Sequence, residues 1–149
     1  MRDLLNDLQF KRGLSPVASG ADNTPLVSQI IDRLGYDSAG FVIATGALPD
    51  VDATFTVLVE HGDAANLSDA AAVADEELIG QDPASASTPE VQAGFTFAAD
   101  DNVRKIGYRG TKRYLRLTIT PAANASASLL CVIAVMGNAE QKPVIQAAA

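Results

Sequence analysis

The side chains that carry most enzyme chemistry are scarce in this sequence, which contains one histidine and one cysteine. His61 ends a β-like run and is followed at once by Gly62 and Asp63. A hydrolase needs a nucleophile activated by such a base, and no Gly-x-Ser-x-Gly turn or activated cysteine accompanies His61. We therefore expect His61 to be a surface residue beside a turn, and we predict that the chain is not an enzyme.

The residue types also disfavour a metal site. Zinc sites built by proteins usually take several cysteine or histidine ligands, and His61 and Cys131 are the whole supply. The run of residues 100–102, Asp-Asp-Asn, lacks the spaced acidic pattern of an EF-hand loop and is typical of a turn. Cys131 lies in an apolar run, so we expect a small buried side chain without special reactivity. The sequence predicts no cofactor and no metal.

Positive charge is concentrated in one segment of an acidic chain whose formal net charge is −7. No acid occurs between Asp101 and Glu140, and this stretch holds a cluster of cations. They are Arg104, Lys105, Arg109, Lys112, Arg113 and Arg116. Two interpretations stay open: a solvated strand edge guarded by cations, or a surface that meets acidic groups on another protein. The overall acidity disfavours general nucleic-acid binding.

The elements that would position these residues are short β-strands. Residues 54–60 and 112–120 alternate apolar and polar side chains, which is the period of a strand with one wet face. Residues 91–98, where Phe95 and Phe97 share a face, predict a further strand. The apolar run 129–136 predicts a strand covered on both faces. Seven or eight such strands and at most one helix predict an all-β fold, a jelly-roll-like β-sandwich. Residues 70–79 fit a short helix or a strand equally well.

The inward faces of the predicted strands define the expected hydrophobic core. Its members are Phe41, Ile43, Phe55, Val57, Val59, Phe95, Phe97, Leu115, Leu117, Ile119 and several residues of 129–135. Hydrophobic residues make up 48% of the chain and charged residues 19%, a balance that argues against a disordered polypeptide. The length of 149 residues fits one folded domain.

The first 25 residues differ in character from the rest. A short helix-compatible stretch carries an apolar stripe made by Leu4, Leu5, Leu8 and Phe10. Small, polar and turn-forming residues follow at 15–25. We predict three parts: an extended N-terminal arm at 1–25, a β-sandwich domain at 26–140 and a C-terminal tail at 141–149. Because an isolated helix this short is marginal in water, the arm should become ordered only against a partner.

Three stretches resemble small structural proteins of tailed bacteriophages. They are residues 35–46, 56–63 and 106–117. The most specific element is the Gly-Tyr-x-Gly-x-Lys-Arg-Tyr string at 107–114, whereas the other stretches are generic β-sequence. The resemblance covers about residues 26–144 and leaves the first 25 unmatched.

The resemblance implies a capsid decoration, or cement, protein that binds the outside of the head shell and contacts the major capsid protein. Such a protein would be made in the bacterial cytoplasm, would reside on the capsid surface of the virion and would carry no catalytic residue. Since decoration proteins sit on symmetry axes of the shell, we expect a closed homo-oligomer, either a dimer or a trimer. The expected docking residues are Leu4, Leu5, Leu8, Phe10, Arg104, Arg109, Lys112, Arg113 and Arg116.

Two other classes of function stay open at this point. A phage head-completion, connector or tail protein would also be a small β-domain, and copy number in the particle would distinguish it. A carbohydrate-binding module would display an aromatic platform, for which the candidates are Tyr36, Tyr108 and Tyr114. No apolar run approaches the length of a membrane span, and the first residues lack the apolar region of a signal peptide. We therefore expect no membrane partner.

Overall fold

The computed structural model describes residues 4–19 and 22–146, and most of these residues lie in β-strands or their turns. The strands are β1 (Gln9–Ser19), β2 (Leu26–Val27), β3 (Ile31–Asp32), β4 (Tyr36–Thr45), β5 (Thr54–Gly62), β6 (Ala71–Ala72), β7 (Leu78–Ile79), β8 (Phe95–Thr96), β9 (Val103–Tyr108), β10 (Tyr114–Ala122) and β11 (Ser128–Ala139). Helix α1 covers Pro89–Ala93, and single 3-10 turns lie at Leu5–Asp7, Asp75–Glu77 and Phe97–Ala99. No helix in the described ranges is long and apolar enough to span a bilayer.

The strands form two sheets that pack face to face. Sheet A has the order β1-β11-β4-β9-β7, and sheet B has the order β2-β10-β5-β6. Strand β3 extends sheet B beside β10, and β8 extends it beside β5. All of these pairs are antiparallel. This is the predicted β-sandwich.

The order of the strands is that of a jelly roll. The long strands alternate between the sheets along the chain, since β4, β9 and β11 belong to sheet A while β5 and β10 belong to sheet B. The first long strand, β1, lies beside the final strand, β11. A double-sheet arrangement with these crossing connections is the jelly-roll solution for short antiparallel strands.

The core lies between the two sheets and is filled by the inward residues of each strand. Almost fully buried side chains from both sheets meet there: Phe41, Ile43, Phe55, Val59, Ile106, Leu115, Leu117, Ile119, Val132 and Met136. The rings of Phe55 and Phe95 stack with their centroids 4.6 Å apart. The alternation in β5 and β10 therefore predicts the inward faces correctly. Phe97 is an exception among the predicted core residues, because it is 42% exposed on a 3-10 turn. Within the predicted core run 129–135, Leu129 and Ile133 are also exposed.

The prediction of an N-terminal arm is wrong for residues 9–19. They form β1, an edge strand of sheet A that is hydrogen-bonded to β11 along its length. The register shifts twice, once at Gly13 and once across Ser15 and Pro16. Proline and glycine are tolerated at bulges and on edge strands, so the turn-like composition does not end this strand. Residues 1–3, 20, 21 and 147–149 of the predicted arm and tail lie outside the described residues.

Two further segments differ from their predictions. The segment 70–79 is neither a helix nor one strand, because it divides into β6, a 3-10 turn and β7. The segment 91–98 is predicted to be a strand, but helix α1 occupies its start and only Phe95 and Thr96 pair with β5. Pro89 stands at the first turn of α1, where its fixed φ favours a helix start.

The described part of the predicted C-terminal tail packs on the beginning of β1. The amide of Val144 donates to the carbonyl of Asn6 at 2.8 Å. The side-chain amide of Gln146 bonds both the N–H and the C=O of Phe10, at 3.1 and 2.8 Å. These contacts satisfy backbone groups on the free edge of the sheet, which would otherwise be open to pairing with another strand.

Candidate functional site

The cations of residues 104–116, which we call the basic segment, are mostly paired within the chain. Arg113 pairs with Asp32 of β3, and Arg116 pairs with Glu60 of β5. Lys112 reaches Asp63 just beyond β5. These acids neutralise the cations across neighbouring strands of sheet B, as cross-strand charge pairs do. The three side chains therefore offer little free charge to another protein.

Arg104 and Arg109 are held by backbone carbonyls. Arg104 donates to the carbonyl of Gln92 at 2.9 Å, and its Nε is buried without a hydrogen-bond partner among the described residues. Arg109 donates to the carbonyl of Glu76 at 2.6 Å. Lys105 differs from both: it is exposed on β9, and its side chain makes no hydrogen bond or ion pair within residues 4–19 and 22–146.

His61 is not the surface residue that the sequence predicts. Its side chain is 12% exposed, and its Nδ1 lies 2.9 Å from the hydroxyl of buried Tyr108. The same hydroxyl accepts a hydrogen bond from the amide of Lys112 at 2.9 Å. Burial raises the pKa of Tyr108, which keeps its hydroxyl protonated. The cluster fixes the loop after β9 against the end of β5, and the Glu77 carboxylate lies 3.9 Å from the same Nδ1.

The other candidate chemical groups also have structural positions. Asp100 lies in the predicted turn and accepts a hydrogen bond from the amide of Leu48 at 2.6 Å. No group of three His, Cys, Asp or Glu side chains in the described chain is placed to hold a metal ion. Cys131 is partly exposed rather than buried, because it points away from the sandwich.

Glu90 of α1 completes the edge of sheet B between β6 and β8. Its Oε1 accepts a hydrogen bond from the amide of Val59 at 2.6 Å. A cavity of about 410 Å³ beside it is lined by Phe55, Phe95 and Val91. Burial raises the pKa of Glu90. The carboxyl group substitutes for a missing strand neighbour, and this explains its position without a ligand.

The outward-facing side of sheet A, which we call the outer face, is apolar. The strand β11 presents Leu129, Cys131, Ile133 and Val135 to this side, alternating with buried residues. Leu129 is 49% exposed and Ile133 is 42% exposed. Neighbouring strands add Val42, Ala44, Val103 and Ile79, which the pairing register places on the same face. The prediction that this strand is covered on both faces is therefore wrong for the described chain.

Two shallow grooves cross the outer face. One, of about 320 Å³, runs over Gly40 and Gly107, which are paired between Val135 and Ile79. The other, of about 310 Å³, lies between Leu129 and the bulged part of β1. The absence of side chains at the paired glycines creates the first groove, so the face is ridged rather than flat.

The predicted docking residues at the N-terminus divide into two groups. Leu8 lines the first groove, and the register places Phe10 beside Val135 on the outer face. Leu4 and Leu5 are exposed at the 3-10 turn that precedes β1. The structure thus joins Leu8 and Phe10 to an apolar surface that the sequence analysis missed. The unbroken apolar run of β11 could have revealed this surface. One buried face of a strand requires an apolar residue only at every second position, whereas this run places apolar residues on both faces.

The tyrosines do not form an aromatic platform. Tyr108 is buried, and the guanidinium of Arg113 lies 4.9 Å from the ring centroid of Tyr114. Tyr36 packs against the core and bonds Gln9 through its hydroxyl. The three rings are held separately.

The sequence matches no protein-family model and no curated protein. Among solved structures, one described as "xylan-binding module CBM15" aligns with a TM-score of 0.45 and 11% sequence identity. The alignment covers 93% of this chain and 95% of that chain. The jelly-roll assignment rests on the strand pairing of the chain itself.

Proposed function

We propose that this protein is a bacteriophage capsid decoration protein that binds the outer surface of the head shell and stabilises it. The observation that carries the proposal is the apolar outer face of sheet A, which no described part of the chain covers. A large uncovered apolar patch on a folded domain marks a contact with another macromolecule. The resemblance of residues 107–114 to phage structural proteins supplies the identity of that macromolecule, the major capsid protein.

The sandwich suits a mechanical role. Binding only to the assembled shell makes separation of the shell subunits less favourable, by mass action on the bound state. The described histidine, tyrosine and carboxylate clusters connect strands, which favours a binding role over a catalytic one. We propose a closed homo-oligomer, a dimer or a trimer, because identical chains on a symmetric shell usually associate through closed symmetry.

The two rival functions receive less support. A carbohydrate-binding module needs stacked aromatic surface, and the rings of Tyr36, Tyr108 and Tyr114 are engaged within the protein. A head-completion, connector or tail protein has the same fold requirements as a decoration protein. Only the number of copies and their position in the particle separate these two roles.

Cryo-electron microscopy of particles from a phage that encodes this chain tests the proposal directly. We expect density of jelly-roll shape repeated over the whole head, with a copy number comparable to that of the major capsid protein. Density confined to the portal vertex or the tail would identify the connector or tail role instead. Particles without the chain would overturn the virion assignment.

A further inference from the structure

We propose that the outer face of sheet A is the surface that docks on the head shell, and that it fits an apolar shell surface carrying a carboxylate beside Lys105. This inference rests on the proposed function and adds the docking surface and the chemistry of its partner. It replaces the basic segment and the N-terminal arm as the main attachment site. Leu8 and Phe10 remain part of it.

The size of the outer face fits a protein partner. Its apolar residues extend over five strands and, on β11, from Leu129 to Val135. Strand spacings of about 4.8 Å and rises of about 3.4 Å per residue give roughly 20 by 20 Å, or about 400 Å². That lies within the roughly 300–600 Å² of the largest apolar patch on a typical monomer, a patch that is often functional. It would supply the centre of an interface that needs about 800 Å² on each partner.

The two outward faces of the sandwich differ in polarity. On sheet B, the outward residues of β10 are Arg116, Thr118 and Thr120, which suit contact with water, and the exposed apolar side chains of Val27 and Leu58 flank Thr118. On sheet A, the outward residues of β11 from Leu129 to Val135 are all apolar. The strands β10 and β11 show the same alternation of buried and outward residues. The difference in polarity therefore lies in the side chains that each sheet turns outward. It indicates that sheet A is covered in the working assembly.

The charge of the outer face favours an acidic partner. The register aligns Arg12, Ile133, Val42 and Lys105 across four neighbouring strands. Lys105 has no partner in the described chain, whereas Lys112, Arg113 and Arg116 are paired with carboxylates. No acid occupies an outward position on the described strands of this face. A carboxylate on the shell would pair with Lys105, whose side chain has no hydrogen bond or ion pair within the described residues.

The same charges disfavour a second copy of this chain on the outer face. Arg12 and Lys105 lie at opposite ends of the row that contains Ile133. A two-fold axis between facing sheets, along or across the strands, would place cations of one copy over cations of the other. Like charges brought together in an interface oppose association. The proposed homo-oligomer would therefore use another surface.

The experiment measures binding of the full chain to purified phage heads that lack it, by co-sedimentation. Ile133→Asp and Lys105→Glu change the outer face. Leu58→Asp is the matched control, because Leu58 is 39% exposed on the outward side of sheet B. Lys112→Glu is the charge control within the basic segment. We expect the first two variants to weaken binding by roughly tenfold or more, and the controls to bind as the wild type does.

Alkylation of Cys131 provides a second measurement that needs no substitution in the docking surface. Cys131 lies on the outer face between Leu129 and Ile133. We expect iodoacetamide to react with it more slowly when the wild-type protein is bound to heads. An unchanged rate would overturn the inference, and so would full binding by both outer-face variants.

The remaining outcomes separate this inference from the proposed function. If the wild type does not bind heads, the decoration function itself is overturned, and the inference with it. If the wild type binds and Leu58→Asp or Lys112→Glu weakens binding as strongly as Ile133→Asp, decoration stands but another surface docks. If Ile133→Asp converts a soluble oligomer to monomers, a second copy covers the outer face and the inference is wrong.

Discussion

Arg113 holds Asp32 through two hydrogen bonds, from Nε at 2.9 Å and from Nη2 at 2.7 Å, and so connects the loop before β10 to β3. The planar guanidinium matches the two carboxylate oxygens, a geometry that lysine cannot reproduce. The hydrogen bond from Arg113 lowers the pKa of Asp32 below its ordinary value of 3.8. Arg113, which the sequence predicts to contact a partner protein, therefore pairs with an acid of its own chain.

Replacing Asp32 by Asn is expected to make the protein less sensitive to acid. Because the pKa of Asp32 is lower in the folded state, its contribution to stability is present above pH 3.8 and is lost as the pH falls through the lower folded value. The difference in melting temperature between wild type and Asp32→Asn should shrink as the pH is lowered from 6 to below 3.8. Asp37→Asn, at an exposed position, is the control. A difference that stays constant with pH would contradict the coupling.

Glu90 should show the opposite dependence on pH. Burial raises the pKa of Glu90 in the folded state above its ordinary value of 4.5. The contribution of Glu90 to the stability of the wild type is therefore lost as the pH rises from 4.5 through the raised folded pKa. Glu90→Gln keeps an oxygen acceptor for the amide of Val59 and removes the titration. We expect its melting temperature, relative to wild type, to increase between pH 4 and pH 7.

Glu90→Ala separates the hydrogen bond from the charge. The substitution removes the acceptor that now lies 2.6 Å from the amide of Val59. We therefore expect Glu90→Ala to melt below wild type at both pH 4 and pH 7. Equal melting temperatures of the Gln and Ala variants would show that the hydrogen bond to Val59 does not contribute to stability.

Leu117→Ala tests the inward register of β10. Leu117 is fully buried, and removing such a side chain should lower the free energy of unfolding by about 2–5 kcal/mol. Ile133→Ala should cost much less, within about 1 kcal/mol, because Ile133 lies on the outer face. Urea unfolding of both variants measures the difference. Equal losses would mean that β11 is turned the other way.

Tyr108→Phe removes the hydroxyl that joins His61 to the amide of Lys112. Leaving these groups without partners should cost about 1–3 kcal/mol. Hydrogen exchange at the amide of Lys112 should become faster. Tyr114→Phe is the control, because the hydroxyl of Tyr114 has no hydrogen bond in the described structure. Unchanged exchange in Tyr108→Phe would show that the backbone alone holds this loop.

The sequence predicts strands correctly where apolar and polar residues alternate clearly. It fails to predict them where that alternation is weak. In β5 and β10, period-two patterning identified the strands and their buried faces. In β1 it did not, because Gly13 and Pro16 interrupt the pattern at bulges. Composition does not reveal that a bulged edge strand remains paired, since the evidence for it lies in the partner strand.

The candidate site was harder to predict because it depends on distant pairs. Asp32 and Arg113 are far apart in the chain, and no local pattern shows that they meet. The cations around Arg113 therefore looked free. By contrast, the apolar run of β11 was recognised, but its outward half was assigned to the interior. Periodicity identifies two apolar faces without showing what covers each.

The position of β11 in sheet A also sets an order on folding. This strand follows all other described strands in the chain, yet it lies between β1 and β4. Sheet A therefore cannot be completed during translation until residues 128–139 have left the ribosome, although β4, β9 and β7 can pair before then. Until then β1 and β4 have exposed edges, and such partly folded chains are prone to aggregate. Non-local pairing of this kind is also slow, so the yield of soluble protein should depend on the rate of synthesis and on chaperones more than on the stability of the finished fold.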